Sequence, residues 1–347
     1  MNESILWLFY TKFNGKKLEK WCRDMSDVTA LGEILIDFTP QGENEQGFPM
    51  FVANPGGAPG NVLVALSCLG LRTEFIGCIG KDHFGELLVS TLQNKGVQTN
   101  GIVYSPIKTT LAFVHIDHQG DRSFDFYRQP GADMMLSKDD VDLSLIADAK
   151  ILHVGSISMT NEPAREATLL ALNYAKEQQK IISFDPNLRP LLWQSLEEAK
   201  EQIEVVLHFA DIVKVSEEEL AFLTDTTDIF SGAKQLYKEF HLRLLFVTVG
   251  DKGSYAYGED GLVFVPGAAV KAIDTTGCGD AFLAGVLYEL LKRDLLNFKI
   301  SEDILKQILN FGNAMGAYVA TNKGGIPAMP TLHQIEDFIV VNKKEKK

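Results

Sequence analysis

The sequence lacks the features that mark membrane-spanning and nucleic-acid-binding proteins. None of its apolar runs approaches the ~18 residues that a membrane-spanning helix requires, so we expect no membrane partner. The 347 residues carry a formal net charge of −13, whereas a broad nucleic-acid footprint needs clustered Lys and Arg. We therefore expect small-molecule partners and no nucleic acid, with any anionic ligand held by local groups.

Cysteine and histidine are too scattered to predict a disulfide framework or a zinc site. The seven histidines form no H-E-x-x-H motif, and the four cysteines, Cys22, Cys68, Cys78 and Cys278, form no C-x-x-C pair. This pattern predicts a reduced, cytoplasmic protein. The P-loop and dinucleotide-binding signatures are also missing, which leaves both of those nucleotide-binding classes without support.

The amino end does not have the pattern of a targeting signal. The apolar run "ILWLFY" (5–10) is shorter than the core of a signal peptide and follows no basic residue. The globular pattern begins near Asp27, just after Met25. We expect residues 1–25 to be an extension outside the fold, residues 26–340 to form one domain, and residues 341–347 to be a charged tail.

From Val28 onward, β-rich runs alternate with segments of helical periodicity, which predicts an α/β protein. Strands alternating with helices of this length favour a doubly wound, mostly parallel sheet with helices on both faces. The predicted strands are "VTALGEILIDF", "TEFIGCIG", "AKILHVG", "KIISFD", "DIVKVS" and "LRLLFVTVG". The predicted helices are "NVLVALSCLG", "HFGELLVSTLQNKG", "PAREATLLALNYAKEQQ" and "LEEAKEQIEVVLHF".

Two stretches, 38–57 and 110–133, interrupt this alternation with antiparallel patterns. The second is a predicted hairpin that turns at "HQGD" (118–121). Ligands of open α/β sheets bind at the carboxyl ends of the strands, so we expect a small β lid formed by about 38–57 and 108–131. Two surface loops without a role in binding are the alternative.

The stretch "DTTGCGDAF" (274–282) ends the extended run "VKAIDTTG" and begins a helix near Gly279. A helix amino terminus favours an anion such as phosphate, and glycine lets a ligand approach the backbone closely. Asp280 in the first turn would repel phosphate, but it fits a reaction in which a hydroxyl loses its proton while a phosphoryl group arrives. In the alternative interpretation, Thr276 caps the helix and Asp280 only complements its dipole.

The same stretch resembles D-T-x-G-A-G-D, the carboxy-terminal signature of the ribokinase-like (PfkB) carbohydrate kinases. The segment "GGAPGNVLVALSCLG" (56–70) resembles the amino-terminal glycine-rich motif of that family, and the resemblance covers about residues 28–332. It implies a ribokinase-like fold and ATP as the phosphoryl donor. It also implies that Asp280 is the catalytic base and that the amides of Gly277, Cys278 and Gly279 hold the transferred phosphoryl group.

Further matches concern the sugar. The resemblance implies that Asp37, Gly57 and Asn61 contact sugar hydroxyls. The stretches "FYRQPGAD" (126–133), "FDPNLRPLLW" (184–193) and "KVSEEE" (214–219) resemble the fructokinase branch, which implies that fructose is converted to fructose 6-phosphate and that Arg128 and Arg189 steer the sugar or the phosphates. The alternatives are a kinase for aminoimidazole riboside or 2-keto-3-deoxygluconate, and a sugar-sensing homologue without activity.

The remaining matches concern the nucleotide and cations. "VTVGDKGS" (247–254) resembles the ATP-side turn of the family, and Glu219 matches a glutamate that organises Mg²⁺ through water. A potassium ion is implied beside Asp274, Thr276 and the "ATNKGG" loop (320–325). Ser216 stands where many members have Asn, which weakens any direct role for it. The implied ATP-binding residues are Lys214, Ser216, Thr248, Gly250, Gly253 and Asn313.

Two expectations concern assembly and reactivity. The family's lids often serve as dimer interfaces, and Phe113, Phe124, Phe126 and Tyr127 on this lid suggest a homodimer, although these aromatics could instead line the pocket. Cys278 stands where most relatives have Ala. A thiol at a helix amino terminus tends to be reactive, so we expect alkylating agents to inactivate the protein and ATP to protect it.

Overall fold

The computed structural model describes residues 25–116 and 122–345. The strands, in chain order, are β1 (Val28–Leu31), β2 (Leu35–Glu43), β3 (Pro49–Gly56), β4 (Thr73–Gly80), β5 (Gln98–Ser105), β6 (Leu111–Ile116), β7 (Arg122–Tyr127), β8 (Ile151–Gly155), β9 (Ile181–Asp185), β10 (Ile212–Ser216), β11 (Leu244–Thr248), β12 (Gly253–Gly258) and β13 (Gly261–Pro266). The helices are α1 (Ala58–Cys68), α2 (His83–Asn94), α3 (Leu143–Ala147), α4 (Ala164–Glu177), α5 (Leu196–Leu207), α6 (Glu217–Thr224), α7 (Ile229–Glu239), α8 (Cys278–Lys292), α9 (Glu302–Ala320) and α10 (Leu332–Glu345).

A nine-stranded sheet in the order β13-β12-β11-β10-β9-β8-β1-β4-β5 forms the centre of the fold. In this spatial order, all neighbouring strands from β11 across to β5 are parallel. Strands β12 and β13 extend the sheet beyond β11 with antiparallel pairing. All eight residues of β4 and all five of β8 are buried, as expected for parallel strands that are covered on both faces. The predicted doubly wound α/β architecture is confirmed.

Helices cover the sheet on both faces and enclose two hydrophobic cores. Ala30 belongs to the core under α1, α8 and α9, whereas its neighbour Leu31 belongs to the core under α4 to α7. The alternation follows from the two-residue repeat of a strand. Local signals set several helix ends: α2 begins where Asp82 accepts a hydrogen bond from the Gly85 amide (2.9 Å) and ends before Gly96, whose φ is +80°.

The predicted small sheet is present, in the order β3-β2-β6-β7. β2 and β3 pair antiparallel, as do β6 and β7, while β2 and β6 pair in parallel. The predicted turn at "HQGD" lies outside the described residues. Residues 341–345, which we expected in a charged tail, continue helix α10. Within the described ranges, no helix is both long and apolar enough to cross a membrane.

The structure corrects the prediction of one continuous strand in "VTALGEILIDF". The segment divides into β1 of the large sheet and β2 of the small sheet, with Gly32 at the break. A Cβ at Gly32 would lie 2.7 Å from Cγ of Pro59, so helix α1 approaches the backbone closely at that point. Asp37 therefore belongs to the small sheet. The extended run "VKAIDTTG" contains no strand. The edge strands β5 and β13, and β12 next to β13, were not predicted.

Candidate active site

The amino termini of α1 and α8 meet beside the carboxyl ends of the central strands. Asn61 in the first turn of α1 donates a hydrogen bond from Nδ2 to Oδ2 of Asp280 in the first turn of α8 (2.8 Å). Both side chains are buried. Two residues that are 219 positions apart in the chain are thus brought into one site.

The carboxyl group of Asp280 has a pKa closer to neutrality than that of an exposed aspartate. Burial and the nearby Asp185 raise its pKa, the Asn61 amide, Lys214 and Arg189 lower it, and the net result is a pKa of about 6. The group is therefore mostly ionised at neutral pH and remains a better base than an exposed aspartate. A base with a pKa near the working pH suits general-base catalysis.

The start of α8 combines a helix amino terminus with a buried cation. Its N-cap is Gly277, with φ +78° and no side-chain capping bond, so the alternative in which Thr276 caps the helix is wrong. The Cys278 amide donates a hydrogen bond to the Thr275 carbonyl (3.3 Å). A Cβ at Gly279 would lie 3.1 Å from Nζ of Lys214. The helix dipole and this ammonium group together favour an anion.

Lys214 on β10 is held by Asp185 at the end of β9. The distance from Nζ to Oδ2 is 3.0 Å, and both side chains are buried. Burial opposes the charge on the lysine, but Asp185, Glu219 and Asp280 outweigh that effect and raise its pKa to about 12. Lys214 therefore stays cationic at the site. Asp185 was not among the residues predicted from the sequence, although its place at the end of a buried strand is typical of ligand-binding residues in α/β sheets.

On the other side of the site, Asp37 projects from β2 of the small sheet. Burial raises the pKa of its carboxyl, Arg189 opposes that shift and Asp280 and Asp274 add to it, and the net result is a pKa of about 7. These charged groups therefore face a common space. The Asp37 carboxylate lies where a side chain at Gly56 would stand. Gly57 has φ +116°, and a Cβ there would lie 2.7 Å from the Glu33 carbonyl oxygen, so the position requires glycine.

The two arginines predicted to steer ligands differ in their surroundings. Arg128 is buried, and its guanidinium donates to Asp133 (2.7 Å), Thr160 (2.9 Å) and the Ile157 carbonyl (3.3 Å). Those bonds engage every guanidinium nitrogen in the protein interior, so a ligand contact by Arg128 stays a prediction. Arg189 is only half-buried, and its charge acts on both Asp37 and Asp280.

Four of the six predicted nucleotide residues lie together around β11 to β13, whereas Lys214 and Ser216 belong to β10. Thr248 ends β11, while Gly250 and Gly253 follow with φ values of +59° and +127°. Asn313 on α9 accepts a hydrogen bond from Ser254 (2.7 Å) and donates to the Val265 carbonyl (3.2 Å). Asn313 also lines a groove of about 360 Å³. Nucleotide binding by these residues stays a prediction.

Glu219 and Ser216 form a capping box at the start of α6. The Glu219 amide donates to Oγ of Ser216 (3.1 Å), and the Ser216 amide donates to Oε2 of Glu219 (2.8 Å). Oε1 of Glu219 accepts the Leu188 amide (2.7 Å). Each carboxylate oxygen keeps a second lone pair, so the group fits a cation contacted through water and carried by phosphates. Within the described ranges, no cluster of three His, Cys, Asp or Glu residues could hold a metal.

Asp274 connects the loop before α8 to the 320–325 loop. Its Oδ1 accepts the Thr276 amide (2.8 Å), and its Oδ2 accepts the Gly324 amide (3.0 Å). The side chain therefore fixes the backbone on which the predicted potassium site depends. Carboxylate and carbonyl oxygens are suitable donors for such a cation, and the predicted ion itself stays a prediction.

Comparisons with known proteins agree with this geometry. The model of the pfkB family carbohydrate kinases matches residues 25–332. Fructokinase-2 of Solanum habrochaites is 43% identical over 307 residues, which cover 88% of this chain and 93% of that protein.

Two solved structures are similar over nearly their whole length. A fructokinase from Xylella fastidiosa with bound ATP has a TM-score of 0.82 at 33% identity and covers 92% of this chain and 100% of its own. A double-mutant fructokinase from Vibrio cholerae O395 in a form with bound fructose, ADP and potassium has a TM-score of 0.81 at 35% identity, with 91% and 100% covered.

Proposed function

The chain belongs to the pfkB family of carbohydrate kinases, and we propose that it transfers the γ-phosphoryl group of ATP to the primary hydroxyl of fructose, forming fructose 6-phosphate. The single observation that carries this proposal is the buried pair of Asn61 and Asp280 at the amino terminus of α8, next to Lys214. A base, an anion site and a cation are needed together for phosphoryl transfer to a hydroxyl. The similarity of the chain to proteins named fructokinase supports fructose as the sugar.

In the proposed reaction, Asp280 accepts the proton of the sugar hydroxyl while the oxygen attacks the γ-phosphorus. The bond from phosphorus to the bridging oxygen breaks, and ADP leaves. The amides of 277–279 and the Lys214 ammonium stabilise the charge on the phosphoryl oxygens, as preorganised donors do in other enzymes. Asp37 and Arg189 hold and orient the sugar hydroxyls.

The small sheet and the bound cations have supporting roles in the proposed reaction. We propose that residues 26–340 act as one catalytic domain, in which the small sheet closes as a lid over the sugar and excludes water that would otherwise hydrolyse ATP. Magnesium neutralises the polyphosphate charge when it is bound. Glu219 would hold its water shell, and Asp274, with the carbonyls of its loop, would hold potassium.

We also propose that two chains associate through the small sheet, and that the protein acts in the cytoplasm. Phe113 contacts Phe51 and Tyr127 with ring centroids 5.5 and 5.4 Å apart. Tyr127 is 67% exposed, so this face has an uncovered aromatic surface. The cytoplasmic location agrees with the free thiols of Cys68 and Cys78 and is testable with a fluorescent fusion.

The test of the activity is an ATP-consumption assay across fructose, glucose, mannose, ribose, 2-keto-3-deoxygluconate and aminoimidazole riboside, with and without potassium. We expect selective turnover of fructose. Selective turnover of another substrate would overturn the sugar assignment and leave the chemistry standing. A protein that binds sugar without consuming ATP would instead be a sensor.

The test of the mechanism is Asp280→Asn. The amide cannot accept the proton, so we expect kcat to fall at least ~100-fold, while calorimetry still detects binding of fructose and of ATP. Near-normal turnover in this variant would remove Asp280 from the role of base.

A further inference from the structure

The strands of the small sheet are anchored at their roots by one buried polar cluster, formed by Glu33, Thr110, Arg128 and Asp133. Thr110 immediately precedes β6, and Arg128 immediately follows β7. Both side chains donate to the Asp133 carboxylate. Glu33, just before β2, feels the charges of Asp133 and Arg128. The cluster thus joins three strand roots at the edge of the active site.

Glu33 also contacts the first turn of α1, which follows directly after β3, the remaining strand of the small sheet. The side chain is 2% exposed, and its Oε1 accepts the amide of Ala58, the first residue of the helix (3.0 Å). The N-cap of α1 is Gly57, which provides no side-chain cap. Glu33 therefore supplies the acceptor that a helix amino terminus ordinarily takes from its own N-cap.

Asn61 is the fourth residue of the same helix, and its side chain donates to Asp280. The Oδ1 atom of Asn61 is buried and has no hydrogen-bond partner among the described residues. Its position is therefore set by the backbone of α1 and by the single bond to Asp280. A shift of the first turn would move the Asn61 amide relative to the carboxylate.

We propose that Glu33 is a positioning residue for catalysis, which fixes the first turn of α1 and thereby holds Asn61 against Asp280. This inference rests on the proposed function, in which Asp280 is the base. A displacement of about 1 Å in a catalytic arrangement can cost ~100-fold in rate. The essential property of Glu33 is then an acceptor oxygen at the correct reach, and burial, which raises the pKa of its carboxyl to about 7, agrees with a role that needs no full charge.

Two substitutions separate reach from charge. Glu33→Gln keeps a carbonyl oxygen at the same distance, so we expect kcat within ~3-fold of the parent protein, whereas Glu33→Asp keeps the charge but is one methylene shorter, so we expect kcat to fall ~10- to 100-fold. The KM for ATP should change less than ~2-fold in both, because the nucleotide residues are elsewhere. A loss in Glu33→Gln as large as that in Glu33→Asp would overturn the proposal.

A matched control is Glu74→Asp. Glu74 is also buried, and it also accepts backbone amides, those of Asn100 (2.8 Å) and Gly101 (3.3 Å), but at the β5 edge of the large sheet. We expect Glu74→Asp to lower the melting temperature without lowering kcat. If Glu33→Asp behaved like Glu74→Asp, with kcat within ~2-fold of the parent protein, Glu33 would be structural only.

A second variant and a double variant test the same contact from its other partners. Should Glu33→Asp fail to fold, Ala58→Pro removes the donor instead, at a helix position that tolerates proline, and we expect the same fall in kcat. The effects of Glu33→Asp and Asn61→Ala on kcat should be less than additive, since both act on the same contact; full additivity would contradict the proposal.

Hydrogen exchange distinguishes failure of this inference from failure of the proposed function. A parent protein that is inactive on every sugar would refute the function. The first-turn amides of α1 should still exchange faster in Glu33→Asp than in Glu33→Gln, because their anchor is lost. Equal exchange in the two variants would refute the role of Glu33 whichever substrate the protein takes.

Discussion

Among single residues, Asp37 is the one at which the proposed sugar binding and stability conflict most clearly. Burial raises the pKa of its carboxyl from 3.8 to about 7. When folding raises the pKa of a carboxyl, stability falls as the pH rises through the interval between the two values, because the folded state must then hold the ionised form. The ionised Asp37 therefore destabilises the fold above about pH 7, and this effect is absent below about pH 4.

We expect Asp37→Asn to raise the melting temperature at pH 8 and to change it much less at pH 4. The KM for fructose should rise at least ~10-fold, since a hydrogen bond to a charged group is lost. Asp82→Asn is a control of opposite sign: burial would raise the pKa of Asp82, but backbone and side-chain hydrogen bonds outweigh it and lower the pKa, so that variant should be less stable at pH 8. A stability gain in Asp37→Asn that did not depend on pH would contradict the explanation.

Cys278 is a second residue with a separable prediction. It is half-buried at the first position of α8, whereas burial raises the pKa of Cys78 to about 12 and also raises that of Cys68. Thiolates are the reactive form, so we expect iodoacetamide at pH 8 to modify Cys278 faster than these two and to abolish turnover, with ATP protecting it. Peptide mapping would locate the adduct, and equal sensitivity of Cys278→Ala would make this cysteine a bystander.

At the scale of elements, the start of α8 depends on a backbone conformation that only glycine adopts readily. Gly277 has φ +78°, and a Cβ there would lie 3.2 Å from Cα of Gly325. We expect Gly277→Ala to lower kcat ~100-fold or more, because an amide proposed to stabilise transition-state charge would be displaced. Gly261→Ala is a matched control, since Gly261 has φ +105° with nothing within 4 Å of a Cβ; its kcat should be unchanged.

The elements also show what sequence patterns could and could not predict. Strands β8 to β11 were predictable because each is a short buried apolar run. The break between β1 and β2 was not, because apolar residues continue across it and the contact that ends β1 joins Gly32 to Pro59, far along the chain. Edge strands such as β5 and β13 mix exposed and buried residues and give weaker patterns.

For the candidate site, the motifs predicted which residues come together but not how each is engaged. The contact between Asn61 and Asp280 requires two helices from opposite ends of the chain to pack against each other, and no local pattern encodes that distance. The enclosure of Arg128 by Asp133 and Thr160 is likewise a tertiary contact. Glu33 and Asp185 were missed because isolated acidic residues at strand ends are common.

At the scale of the whole molecule, the exposed face of the small sheet raises the question of assembly. Phe38 stacks on Phe113 with ring centroids 4.7 Å apart, and Phe51 and Tyr127 extend this aromatic cluster to the surface. Phe126, paired with Ala112, lies on the opposite face, towards the site. The side chain of Phe124 lies outside the described part of the chain. Aromatic residues are enriched at protein interfaces, which favours this face for a second copy.

We therefore expect the protein to sediment as a dimer and the double variant Phe51→Asp and Tyr127→Asp to sediment as a monomer, because paired carboxylates would be desolvated against an apolar partner face. Phe230→Asp is the matched control, since Phe230 on α7 is 55% exposed and lies far along the chain from the small sheet. It should leave the dimer intact.

If the small sheet closes better when paired, the monomeric variant should also show a higher KM for fructose and more ATP hydrolysis without sugar. A parent protein that sediments as a monomer, or a double variant that stays dimeric, would rule this face out as the interface.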